Sequence, residues 1–161
     1  MKLFKKLAAA ALAAVLALSM VGCGAGGTGS AFNTKEEVLN YIGEAYYTYG
    51  HGEKTANRDT TLDTLAADLI TAANQAQGKD EDAKLKNAAA DEKFSGCVYS
   101  CDICTDLTTS AMKEQYLKHL YYDIIIKTRN ADEINIGAAT GKIGDKTYIV
   151  VMAKVVKPSS H

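Results

Sequence analysis

Three shortages bound this chain of 161 residues before any motif is considered: no surplus of either charge, no long apolar run, and no complete catalytic signature. There are 18 Lys+Arg against 19 Asp+Glu, a net charge of −1 that argues against a nucleic-acid binder, which carries a basic face. Trp is absent and Pro occurs once, so the aromatic surface is left chiefly to 9 Tyr. No G-x-S-x-G elbow, Walker loop or H-E-x-x-H helix occurs, which removes the motif-based hydrolase, nucleotidase and zinc-protease readings. What is present is ordinary for a globular protein: 47% hydrophobic and 23% charged residues, on a length that suits one domain.

The charge is unevenly placed. Lys2, Lys5 and Lys6 open the chain, and no acidic residue precedes Glu36. Beyond residue 22 the balance is 15 basic against 19 acidic side chains, a mildly acidic domain. Leu7–Val21 is an apolar run of 15 residues. As a helix it spans about 22 Å, short of the ~30 Å hydrocarbon core that a transmembrane helix must cross. A cationic start, a short apolar core and small residues at its end describe an export signal.

Ser19-Met20-Val21-Gly22-Cys23, at the end of that signal, resembles a bacterial lipobox. The resemblance implies that the Cys23 thiol takes a diacylglyceryl group and becomes the first residue after cleavage, with palmitate-type acyl chains. Two buried chains anchor a protein stably where one is marginal. Gly24-Ala25-Gly26-Gly27-Thr28-Gly29-Ser30 then reads as a flexible tether. The expected organisation is a signal over 1–22, a lipidated Cys and tether over 23–32, and one domain over 33–157. The expected location is the extracytoplasmic face of a bacterial membrane.

Within the domain, Thr34-Lys35-Glu36-Glu37 forms a capping box, and Val38, Ile42, Ala45 and Tyr49 recur at helical spacing toward Gly50, a C′ candidate. Thr60-Thr61 offers a cap to a second helix over 61–77, with Leu62, Leu65, Leu69 and Ala73 on its apolar stripe. Residues 79–93 are strongly polar and read as an exposed helix or a loop. Thr108, Thr109 and Ser110 can cap a third helix running to about Thr128. The period then changes to two: Ile134, Ile136 and Ala138 alternate, and Thr147–Val156 is nearly all apolar or β-branched. Gly144-Asp145 between them suits a type II′ turn. The expected class is α+β, three to four helices and then a C-terminal antiparallel hairpin, with an αβα sandwich as one form. The second strand is apolar on both faces, so helices are expected on one side and something else on the other.

Cys97-x3-Cys101-x2-Cys104 is the most distinctive spacing. It equals the motif by which radical S-adenosylmethionine enzymes hold a cluster, but an exported domain this small has no room for such a barrel. Thiolates also suit zinc, with His119 or Asp106 as a fourth ligand. Oxidising surroundings favour instead one disulfide among Cys97, Cys101 and Cys104. His51 and His119 stand without an adjacent nucleophile. Tyr41, Tyr46, Tyr47, Tyr49, Tyr116, Tyr121 and Tyr122 either supply stacking surface for sugars or peptides or cap a helical core with their hydroxyls. Asp106–Met112 resembles the flavin-attachment motif of exported redox proteins, with Met112 in place of the acceptor threonine.

The order of elements resembles the CAP superfamily of secreted proteins (cysteine-rich secretory, antigen 5 and pathogenesis-related proteins). Leu65-Ala66-Ala67-Asp68-Leu69 matches its early helix, and Ile136-Gly137-Ala138-Ala139 with Lys146–Val151 matches its closing hairpin. The resemblance implies an αβα sandwich. Of the family's two His and two acidic metal ligands only His119 has a counterpart, which implies a member without that cavity chemistry. The function expected is a membrane-anchored, non-enzymatic binding module for a cell-envelope protein or glycan, with no cofactor and no nucleic acid. The alternative is a metal- or redox-dependent accessory protein using Cys97, Cys101 and Cys104, with His119.

Overall fold

The computed structural model describes residues 35–104 and 110–158. The lipobox, Cys23, the tether, the caps at Thr34, Thr108 and Thr109, and Asp106 lie outside them. The elements run α1 (Lys35–Tyr49), β1 (Thr55–Arg58), α2 (Thr60–Gln75), α3 (Glu81–Ala89), a 3-10 turn (Glu92–Phe94), β2 (Cys97–Ile103), α4 (Ser110–Thr128), β3 (Ala131–Ile143) and β4 (Lys146–Pro158). The class is α+β. The four strands form one sheet in the order β1-β3-β4-β2. β1 runs parallel to β3, and both other pairings are antiparallel.

Alternation along β3 and β4 builds two cores. Ile134, Ile136, Ala138, Ile149, Val151 and Ala153 face α1 and α4, where they meet Val38, Ile42, Leu120 and Ile124. Ile143, Tyr148, Val150 and Met152 face the other way, onto Leu62, Leu69 and Ile70 of α2, Leu85 of α3 and Phe94. This is a three-layer αβα sandwich. Helices therefore cover both faces of β4, which explains a strand apolar on each side. The polar stretch 79–93 supplies part of the second layer: Asp80 caps α3 by accepting from the Ala83 N–H, and Leu85 and Ala88 turn inward.

The hairpin closes as its turn chemistry predicts. Ile143 pairs with Lys146, and Gly144 takes φ 63 while Asp145 stays at negative φ, the combination a II′ turn requires. Asn74 of α2 pins the tip, accepting from the Gly144 N–H at 3.1 Å and donating to Lys142 O at 2.7 Å.

Two local expectations need correction. The cap of α2 is Asp59, not Thr60 or Thr61; its carboxylate accepts from the Thr61 N–H and hydroxyl. Gly50 is not the left-handed residue after α1, because the positive φ falls on His51 and Gly52, at 51 and 88. β1 and β2 were not foreseen. β1 is held at its outer side by Arg58, whose guanidinium grips Glu36 of α1 through two contacts at 2.7 and 3.2 Å.

Candidate functional site

β2 decides the fate of the cysteine spacing. In a loop, Cys97, Cys101 and Cys104 can curl round one ion; here the first two lie on an extended strand. Cys97 and Cys101 have the same parity and pack with the α2/α3 core, whereas Cys104, past the strand's end, packs with the α1/α4 core. Cys97 and Cys101 are about 13 Å apart at roughly 3.3 Å per residue, and a disulfide needs Cα atoms within about 7 Å. Both are free thiols, whereas Cys104 is disulfide-bonded, so the expected disulfide does not join two of these three cysteines. Burial pushes the Cys101 thiol up to about 11 and that of Cys97 above its usual value, the state of inert rather than reactive cysteine. Nor does His119 join Cys97 and Cys101, since it lies on α4, against the opposite face. Among the described residues no group of three or more His, Cys, Asp and Glu is placed to hold a metal ion.

His119 does have a partner, and it is Asp102 of β2: Nδ1 stands 3.0 Å from Oδ2. The other carboxylate oxygen accepts from the Ile103 N–H at 2.7 Å. The imidazole is 63% exposed, so this pair sits at a solvated corner. Tyr116, one turn before Leu120, is buried far enough that its hydroxyl is held well above the usual tyrosine range, with Asp102 adding to the shift. Ser100 is buried on the same strand, and its hydroxyl has no partner among the described residues. His51 lies in the exposed turn after α1. The corner can orient an imidazole.

The tyrosines divide into two sets. Tyr46 is fully buried, its hydroxyl 3.0 Å from Ala131 O and 3.2 Å from Thr128 O, tying α1 to the turn before β3. Tyr121 is nearly buried and donates to Ala45 O at 3.2 Å, which locks α4 to α1. Around it lies an aromatic surface. Tyr41 meets Tyr121 edge to face at 6.3 Å between centroids, and Tyr122 tilts against it at 5.4 Å. Burial pushes Tyr121 up to about 12, with Tyr122, Tyr49, Tyr41 and Tyr46 adding to the shift. Tyr49, Tyr122 and Ile126 are 50%, 55% and 67% exposed. Ile126 lies one turn beyond Tyr122 on the same face of α4. Sequence reasoning identified these tyrosines but missed Ile126 and Asp102; strand parity would have found the latter once β2 was recognised.

Compared with protein-family models the chain matches none, and no curated protein is significantly similar to it. No helix among the described residues is long and apolar enough to cross a membrane.

Proposed function

We propose that this chain is an extracytoplasmic bacterial lipoprotein, held to the membrane through Cys23, whose folded domain is a non-enzymatic binding module. The observation that carries the binding reading is the α1/α4 face, where Tyr49, Tyr122 and Ile126 stand exposed around the packed Tyr41 and Tyr121. Tyrosine rings with aliphatic neighbours are enriched at protein interfaces, because a rigid ring buries much area at little entropic cost. Ile126 offers no hydrogen bond to a sugar, so an envelope protein fits this face better than a glycan. The anchor rests on the cationic start, the short apolar core and the Gly22-Cys23 junction. The three-layer sandwich agrees with the αβα form that the likeness to the CAP superfamily implies. The metal- or redox-dependent alternative is less favoured, since Cys97 and Cys101 stand about 13 Å apart along β2 and Cys104 packs with the opposite core.

Two experiments on the full chain in its cells test this. Labelled palmitate is expected to enter the wild-type protein and not a Cys23→Ser variant; equal incorporation overturns the anchor. A photo-cross-linking residue at Tyr122 is expected to give a discrete protein adduct that Ile126→Asp abolishes, while one at Tyr47 gives none. Equal adducts from both positions, or none from Tyr122, overturn the binding face.

A further inference from the structure

β2 is one of the two outer strands of the sheet, and its backbone alternates between a paired and an open side. The Cys104 N–H donates to Thr147 O at 2.8 Å, which fixes the even-numbered residues as those bonded to β4. Cys97, Tyr99, Cys101 and Ile103 therefore turn their N–H and C=O groups outward. Two of these outward groups are covered by charges of the chain itself. Lys127 of α4 reaches round the edge to donate to Tyr99 O at 2.5 Å, its ammonium 5.2 Å from the centre of that ring. At the other end Asp102 accepts from the Ile103 N–H at 2.7 Å. Between them the outward groups of Cys101 have no side-chain partner among the described residues.

We propose that this edge pairs with the same edge of a second copy, antiparallel and centred on Cys101, joining two sheets into one. The register follows from the covered groups. With Cys101 opposite Cys101 of the second copy, the Tyr99 carbonyl meets the second copy's Ile103 N–H. Those are the two groups that each copy shields with a charge. Releasing them sets Lys127 of one copy beside Asp102 of the other, and the two-fold repeats the contact at the far end. The edge is thus complementary to itself in hydrogen bonding and in charge. Charges commonly guard an edge strand against association; here a cation covers an acceptor and an anion covers a donor, at positions that a two-fold exchanges. Asp123, ion-paired to Lys127 at 2.8 Å and near enough to Cys101 to raise its thiol, is a charge that the two-fold through Cys101 brings toward its own copy, and it weakens the pairing.

A charge swap tests the register, read by sedimentation equilibrium of the full chain in density-matched detergent. The wild type is expected to dimerise reversibly. Lys127→Glu alone and Asp102→Lys alone are each expected to weaken the dimer at least about tenfold, because each opposes like charges across the axis. An equimolar mixture of the two is expected to recover it. In the mixed dimer the introduced glutamate faces the introduced lysine at one end, and the native Asp102 and Lys127 meet at the other. Recovery also shows that both variants fold. Asp123→Asn is expected to tighten the wild-type dimer, an independent readout if either reversal unfolds the chain. A wild type that stays monomeric overturns the proposal, as does a dimer indifferent to both reversals, a mixture that fails to recover, or an unmoved Asp123→Asn.

Discussion

The Asp63 carboxylate takes the place of a strand for Ala138. β1 pairs with β3 only as far as Ile136, and two residues on Asp63 Oδ1 accepts from the Ala138 N–H at 2.8 Å. Its other oxygen holds Lys35 at 2.7 Å. The first turn of α2 thereby finishes the edge that β1 leaves open, and fixes where the α2/α3 layer sits on the sheet. Asp63→Ala leaves an N–H orphaned beneath a helix and is expected to cost about 2–3 kcal/mol. Asp63→Asn, which keeps an acceptor, is expected to cost clearly less. Urea unfolding of both checks this; equal losses would show that the Lys35 ion pair, not the backbone bond, matters.

That close approach also explains Gly137. A Cβ there would stand 2.5 Å from Asp63 N and 2.6 Å from Leu62 C, both backbone atoms of α2. Gly137→Ala forces the helix off the sheet and is expected to cost about 1–3 kcal/mol or more. Gly43, in the middle of α1, is the contrast, since its nearest neighbour would be Ala56 O at 3.8 Å. Gly43→Ala is expected to stabilise by about 0.5–1 kcal/mol through helix propensity. Thermal melts of the pair should move in opposite directions.

The helices and the closing hairpin were readable because their signals are local. Leu62, Leu69 and Ala73 repeat at helical spacing, and Gly144 needs only its own φ. β1 was not readable: Thr55-Ala56-Asn57-Arg58 is short, polar and paired in parallel to residues some 78 positions later. Nothing within a local window records such a pairing. β2 was hidden by its own cysteines, whose spacing invites a chemical reading and masks an alternating strand. For the same reason the sequence offered no partner for His119: only the pairing of Asp102 with Ile149 puts Asp102 under α4. The tyrosines were legible as a set, but which were buried depended on how α1 crosses α4.

Asp59 gives the fold an acid-sensitive cap. The Thr61 hydroxyl, the Thr61 N–H and Asn135 hold its carboxyl below the usual aspartate value. A depressed folded value means stability that is present above the unfolded aspartate value, ~3.9, and lost as pH falls through the folded one. Asp59→Ala is expected to lower stability at neutral pH by about 1 kcal/mol, the typical worth of a cap. The difference from wild type should begin to shrink below about pH 4, where the unfolded carboxyl takes up its proton, and close only at the lower pH where the folded carboxyl is protonated too. Denaturant midpoints measured from pH 7 to pH 2 give the comparison; a gap that stays constant to the lowest pH would assign the loss to Thr61 packing instead.

Cys101 should behave as a buried apolar side chain that happens to carry sulfur. It packs against the α2/α3 core, and burial, followed by the charges of Asp82, Asp102 and Asp123, lifts its thiol to about 11. Alkylation requires the thiolate, so its rate in the folded chain is expected to climb about tenfold per pH unit from pH 8 to pH 10 without levelling. In the unfolded chain the same thiol should level off near an ordinary cysteine value, about 8.5. Site-resolved mass spectrometry of iodoacetamide labelling separates Cys101 from Cys97. A plateau near pH 9 in the folded protein would mean that β2 detaches from the sheet often enough to expose the thiol. The edge strand would then be a mobile element, and alkylation would report its opening instead of its chemistry.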